Sequence, residues 1–406
     1  MLRTHVLGFT LVLGGLIGPL NLPAAQPVWV DAAPRYGAAE RAAAQLLEAT
    51  TQPSSPDPRD FVCAPRLQLR QPQRCSPYGP GARATELARQ GLFPPKPLPI
   101  VAFDPSMNLV PFEYVRAGSG DVRLYASPED AEGGGGGEDR IAPGFVYLSY
   151  SRREERGGMS VYSTARGYVR GDEVSRVTLP PSPGLAFSRT PDRPFGWVIS
   201  GGSCTSREPG GPVDPQGTCF TRLAVVQVYD AQQVDEWKWY MVGPDQWLEQ
   251  RLLGVVDPDP APPAGVTEDR WISVNLYEQT LAAYDQGELV FATVVSSGRN
   301  GFWTQPGTFQ VWAKLQRDNM IGGVEGGNYY YLEDVPWVLY FDQSRALHGT
   351  YWHGKFGTPT SRGCVNLAPR DSHWIFDFAE EGTWVYVWDP SGNTPTDPAL
   401  YGPGGA

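Results

Sequence analysis

The run Asp257–Ala264, DPDPAPPA, places four prolines within eight residues. Proline removes a backbone donor and fixes φ, so neither a helix nor a central strand can pass through such a run. The chain is therefore cut there, with a semi-rigid extended linker expected over 257–268. What precedes it is punctuated just as heavily. With 40 Pro and 47 Gly among 406 residues, and abundant Trp and Tyr, short strands joined by turns are favoured over long helices. The expected class is mainly β.

The segments on either side follow from local pattern. Arg3, the apolar stretch Val6–Leu20 and the small-residue run Leu22-Pro23-Ala24-Ala25 read as a secretory signal over 1–25. The apolar stretch is shorter than the ~20 residues a membrane span needs, so cleavage is expected rather than anchoring. After cleavage the protein is expected not to be an integral membrane protein, and to work outside the cytoplasm, in the wall, the periplasm or at the cell surface. Residues 26–96 carry an Ala-rich helical pattern over Arg35–Thr50 and a second over Arg83–Gln90. Short β runs occupy 97–185 and 186–256. A catalytic domain is expected over 269–390, with a loose tail over 391–406. The net charge of −11 lacks the basic footprint that nucleic-acid binding requires.

There are five cysteines. Cys63 and Cys75 are close in sequence, as are Cys204 and Cys219, and export makes two local disulfides reasonable, although four cysteines allow three pairings. Cys364 is left over. An isolated cysteine is more often a buried apolar filler than a nucleophile. Its surroundings, LHGTYWHGKFGTPTSRGCVN over Leu347–Asn366, point the other way. A thiol becomes a nucleophile when a base takes its proton, and His348 ends an apparent strand where it can serve. Gly363 lets backbone approach closely, and the amides of Gly363 and Cys364 are candidate oxyanion donors. Ser361 and Arg362 flank the nucleophile, and Arg362 can draw a carboxylate or favour the thiolate. His348, His353 and Cys364 are conceivable zinc ligands, but their spacing fits no common zinc pattern, so no metal and no cofactor is expected. His373, in an expected helix Pro369–Ala379, is read as structural.

The segment HGTYWHGKFG, followed by TSRGCVNL, resembles the signature of the YkuD-type L,D-transpeptidases. Theirs is a histidine and then, about sixteen residues on, an S/T-x-G-C-hydrophobic-N/R motif. His348 and Cys364 have that spacing, and Ser361 to Asn366 fill the motif. The stretches WISVNLYEQTLAAYDQGELV, VVSSG and TQPGTFQV are also similar, so the resemblance covers about 269–390. It implies a YkuD-like β-sandwich. It also implies that Cys364 attacks the bond between a diamino acid and D-alanine in a peptidoglycan tetrapeptide stem. The thioester then passes to an amine, giving 3-3 cross-links, and carbapenem-type β-lactams inhibit by acylating Cys364. The Gly349 carbonyl matches the position that orients the histidine. Asn366, Trp352 and His353 match cleft positions, and Met320 and Tyr330 a loop over the substrate. One departure is Arg362, where the family commonly has histidine; arginine cannot act as a base. The segments VRLYASPEDA and GYVRGDEV resemble pieces of bacterial SH3-like modules. A carboxypeptidase using the same thioester, and a non-catalytic wall-binding protein, are the alternatives.

Overall fold

The computed structural model describes residues 97–402 except 138, together with the backbone of two short strands, Val62–Cys63 and Ser76–Pro77. The expected signal peptide, the two N-terminal helices and the Cys63–Cys75 pairing lie outside the described residues. In chain order the elements that build the site are β1 (Glu113–Ala117), β2 (Phe145–Tyr150), β3 (Val174–Arg176), β4 (Leu185–Phe187), β5 (Trp271–Asn275), β6 (Thr280–Asp285) and β7 (Glu288–Val294). They continue with β8 (Gly307–Gln310), β9 (Ala313–Gly322), β10 (Tyr330–Asp342), β11 (Arg345–Gly349), β12 (Val365–Leu367), α1 (Pro369–Phe378) and β13 (Trp384–Trp388).

Two sheets face each other. The first runs β8-β13-β5-β6-β7-β4 and ends on Ile100–Val101. The second runs β3-β1-β2-β10-β11-β12, with β9 paired to β10. Alternation along each strand sends every second apolar side chain inward. Ile272, Val274, Leu281 and Phe291 from the first sheet thus meet Leu339, Phe341, Leu347 and Val365 from the second, and α1 adds Ile375 and Phe376. The β6–β7 turn follows its sequence signal. Gln286 and Gly287 both adopt positive φ, 50° and 76°, as a two-residue primed turn requires. Pro369 sits in the first turn of α1, where its missing N–H costs nothing.

The sheets cross the boundaries read from sequence. β1, β2 and β3, from the 97–185 region, extend the sheet that carries β11 and β12, and β4 pairs with β7. The join is β10. Its first half pairs in parallel with β2, from Tyr330 opposite Phe145 to Leu332 opposite Tyr147, and its second half pairs with β11. Positive φ at Asp334 (47°) and Trp337 (58°) separates the halves, and buried Glu333 between them accepts from the Ser149 N–H at 2.9 Å. Residues 186–256 form smaller β sheets, and there Cys204 and Cys219 are disulfide-bonded.

Candidate active site

The site is created by register. β11 and β12 run parallel, with Leu347 opposite Val365, His348 opposite Asn366 and Gly349 opposite Leu367. Leu347, Val365 and Leu367 face the core between the sheets. The intervening residues face the other way, and Ala346 and Cys364 pack there with Met320, Tyr330, Leu332 and Tyr351. His348 and Cys364 therefore project from the same face of adjacent strands on a diagonal, which in a sheet sets such neighbours roughly 7–8 Å apart.

Backbone geometry fixes each partner. The Ala346 N–H donates to Cys364 Sγ at 3.4 Å, and the thiol donates to the Ser344 carbonyl at 3.6 Å. The Nδ1–H of His348 donates to the Gly349 carbonyl at 3.1 Å. This fixes the tautomer and leaves the Nε2 lone pair for the thiol proton. Nε2 is buried with no hydrogen-bond partner. Burial holds the imidazole neutral, down to about 4, the Gly349 contact opposing. Burial pushes the Cys364 thiol up to about 11, with the Ala346 N–H and the Arg345 charge pulling it back. At rest both groups are thus neutral, a thiol and an imidazole.

Gly363 adopts φ 123°, and a Cβ there would lie 3.1 Å from Arg345 Nε, so glycine is required twice over. Its N–H, expected as an oxyanion donor, donates instead to Ser361 Oγ at 3.1 Å. In turn the Ser361 hydroxyl donates to the Cys364 carbonyl at 2.5 Å. Ser361 therefore shapes the loop beneath Cys364. Buried Thr304 does the same, donating to the Gly363 carbonyl at 2.8 Å.

The remaining expected residues separate into groups. Trp352 lies tilted against His348, ring centres 5.7 Å apart. His353 is committed: the Lys355 N–H donates to its Nδ1 at 3.1 Å, and the Asn366 amide lies 3.0 Å from its Nε2. With Nδ1 accepting, the proton of the neutral ring sits on Nε2, so Asn366 pairs with it only with its amide turned to exchange Nδ2 for the otherwise unpartnered Oδ1. Burial holds this ring neutral as well, to about 4, with the repulsion a protonated His348 would add and the Lys355 charge acting in the same direction. His353 and Asn366 thus brace each other. Met320 and Tyr330 lie on the paired strands β9 and β10 rather than on a loop. His373 stacks on Trp337, ring centres 3.9 Å apart. Among the described residues no group of three His, Cys, Asp or Glu could hold a metal.

Cys364 itself is fully buried. Beside it lies a cavity of about 600 Å³ whose wall includes Ser344, Tyr340, Arg345 and Arg362. Ser344, the residue touching the sulfur, is exposed at the β10–β11 turn. The lining also includes Tyr330 and Met320 from the β9–β10 hairpin and Leu400, Tyr401 and Gly402 from the tail. Arg362 donates to the Asn328 carbonyl at 2.9 Å, with its guanidinium 4.6 Å from the Tyr330 ring centre. It belongs to the cavity rim and not to the sulfur.

Residues 269–387 match the family described as YkuD, L,D-transpeptidase catalytic domain. Among solved structures, the chain is similar to a mutant L,D-transpeptidase of Enterococcus faecium, at 26% identity over 29% of this chain and 49% of that one, TM-score 0.27. It is also similar to the E. faecium catalytic domain acylated by ertapenem, at 28% identity over 30% of this chain and 100% of that one, TM-score 0.28. An L,D-transpeptidase from Stackebrandtia nassauensis is 30% identical over 32% of this chain and 58% of that one, TM-score 0.25. The chain thus spans about half the length of the first of these, 49%. No curated protein matches it.

Proposed function

Starting from residues 269–387 as a YkuD-type L,D-transpeptidase catalytic domain, we propose that this protein cross-links peptidoglycan outside the cytoplasm through a thioester on Cys364. The observation that carries the reading is the fixed pair on β11 and β12. His348 is held by the Gly349 carbonyl with its Nε2 unpartnered, on the face from which Cys364 projects.

The chemistry follows from these groups. A tetrapeptide stem enters by the cavity, and the carbonyl between its diamino acid and D-alanine passes Ser344 to reach the buried Sγ as the wall opens. As the sulfur forms its bond to carbon, His348 Nε2 takes the thiol proton. The tetrahedral intermediate collapses, the C–N bond breaks, and His348 returns the proton to the departing D-alanine amine. An acceptor amine then attacks the thioester, gives its proton to His348 and leaves the thiol restored. Arg362, on the rim, is suited to a stem carboxylate through donors not spent on Asn328. The Cys204–Cys219 disulfide supports an oxidising compartment. The ertapenem-acylated Enterococcus faecium domain supports inhibition by carbapenem-type β-lactams.

Purified protein incubated with tetrapeptide stems should release D-alanine and yield cross-linked dimers by mass spectrometry, and Cys364→Ala should do neither. Trimmed monomers alone would replace the transfer reading with the hydrolytic one, and D-alanine release by the variant would end both.

A further inference from the structure

Arg345 has no role assigned from the sequence motif, yet it is more intimately placed at the nucleophile than Arg362. Both of its chain neighbours touch the sulfur, Ser344 through its carbonyl and Ala346 through its N–H. Its Nε lies 3.1 Å from the point where a Gly363 Cβ would stand, against the peptide that leads into Cys364. The side chain is 3% exposed. One guanidinium nitrogen, Nη1, donates to Asp342 at 2.8 Å, and Nη2 donates to the Gly402 carbonyl at 2.9 Å. Tyr401 lies across the guanidinium, 5.2 Å from the ring centre. Nε is buried with no partner, and the residue lines the cavity beside the thiol. A buried cation whose third donor goes unmet is costly unless something anionic forms nearby. In an acyltransferase that something is the thiolate.

We propose that Arg345 is the positioning residue that holds positive charge against Cys364, and that Asp342 and the tail carbonyl of Gly402 aim it there. The inference rests on the reading of Cys364 as nucleophile. The charge lowers the cost of the thiolate as His348 takes the proton, and Asp342 tempers it. Other titratable groups around the sulfur are His348 on the same strand, Tyr340 and Tyr330 on β10, and Arg362 on its own loop. Tyr340 donates to Asp318 at 2.8 Å and stays protonated, since burial and Asp318 push its hydroxyl well above the ordinary range. A tyrosine is neutral or anionic, so neither can supply positive charge. The field of Arg345 also accords with its pull on the thiol.

The test reads the sulfur directly and needs no turnover, so it can fail independently of the transpeptidase reading. Thiolate ultraviolet absorbance is titrated against pH in the full-length protein, with the matching Cys364→Ser protein subtracted. Arg345→Gln should raise the titration midpoint by about one unit or more, Arg345→Lys should restore most of it, and Asp342→Asn should lower it. Arg345→Gln takes the ion-pair partner from buried Asp342, so the Arg345→Gln, Asp342→Asn double variant is read beside it and should still titrate above Asp342→Asn alone. A purely structural salt bridge moves melting temperature in Arg345→Gln and Asp342→Asn alike and leaves the midpoints together. Unmoved midpoints, or shifts of the same sign in those two variants, overturn the proposal.

Discussion

Glu278 offers a test of how the catalytic domain is joined to the region before the linker. It sits in the β5–β6 turn, and its carboxylate is buried under the preceding β region. Tyr240 Oη donates to it at 2.6 Å and the Val255 N–H at 3.0 Å. Burial dominates these contacts and raises the carboxyl from an ordinary 4.5 to about 7. The sign follows from proton counting. Between those two values the folded chain keeps a proton that the unfolded chain has released. Stability from this group is complete below pH 4.5 and is lost as pH rises through about 7. The span corresponds to about 3 kcal/mol, at about 1.36 kcal/mol per unit. Glu278→Gln stays neutral throughout and escapes the loss, although it gives up part of the Tyr240–Val255 arrangement at every pH. Urea unfolding followed by tryptophan fluorescence, at pH steps from about 4 to about 8, measures the difference. The parent should lose about 3 kcal/mol relative to the variant across that range, with equal m-values. Parallel curves, or a parent that gains on the variant as pH rises, would refute the argument.

Three further outcomes are expected. Gly363→Ala, at φ 123° with its Cβ against Arg345 Nε, should cost about 1–3 kcal/mol by thermal melting and slow carbapenem acylation; an unchanged melt would contradict the strain. Because His348 is held neutral down to about 4, the acid limb of kcat/KM should fall well below the ordinary imidazole range, and His348→Gln should lose roughly 10²–10⁴ in rate. A limb near 6.5 would show a solvated base. Deleting residues 398–406 removes Leu400, Tyr401 and Gly402 from the cavity wall, so alkylation of Cys364 by iodoacetamide should speed severalfold, read by peptide mass. An equal rate would mean that the tail does not cover the approach.

The spacing of His348 and Cys364, with Gly363 and Ser361 in place, was legible because such a pattern is local. Strand alternation in WISVNL, the turn at Gln286-Gly287 and the proline opening of α1 were legible for the same reason, since each depends on neighbours a few residues away. Arg362 shows the limit. Its position beside the nucleophile in sequence suggested support of the thiolate, but the chain turns at Gly363 and delivers it to the rim with Asn328 and Tyr330. Gly363 likewise appeared to offer its N–H to an oxyanion, and the fold gives that donor to Ser361.

The amino-acid order alone determined which strand and turn each segment favours and which sulfur lacks a local cysteine partner. Tertiary structure alone decided that β10 carries one sheet across the expected boundary, and that Arg345 and Gly402, 57 residues apart, meet beside Cys364. Local conformational preference is written in adjacent side chains. The register of β11 on β12, and the burial that raises the thiol and holds the imidazole neutral, exist only once distant strands exclude water together.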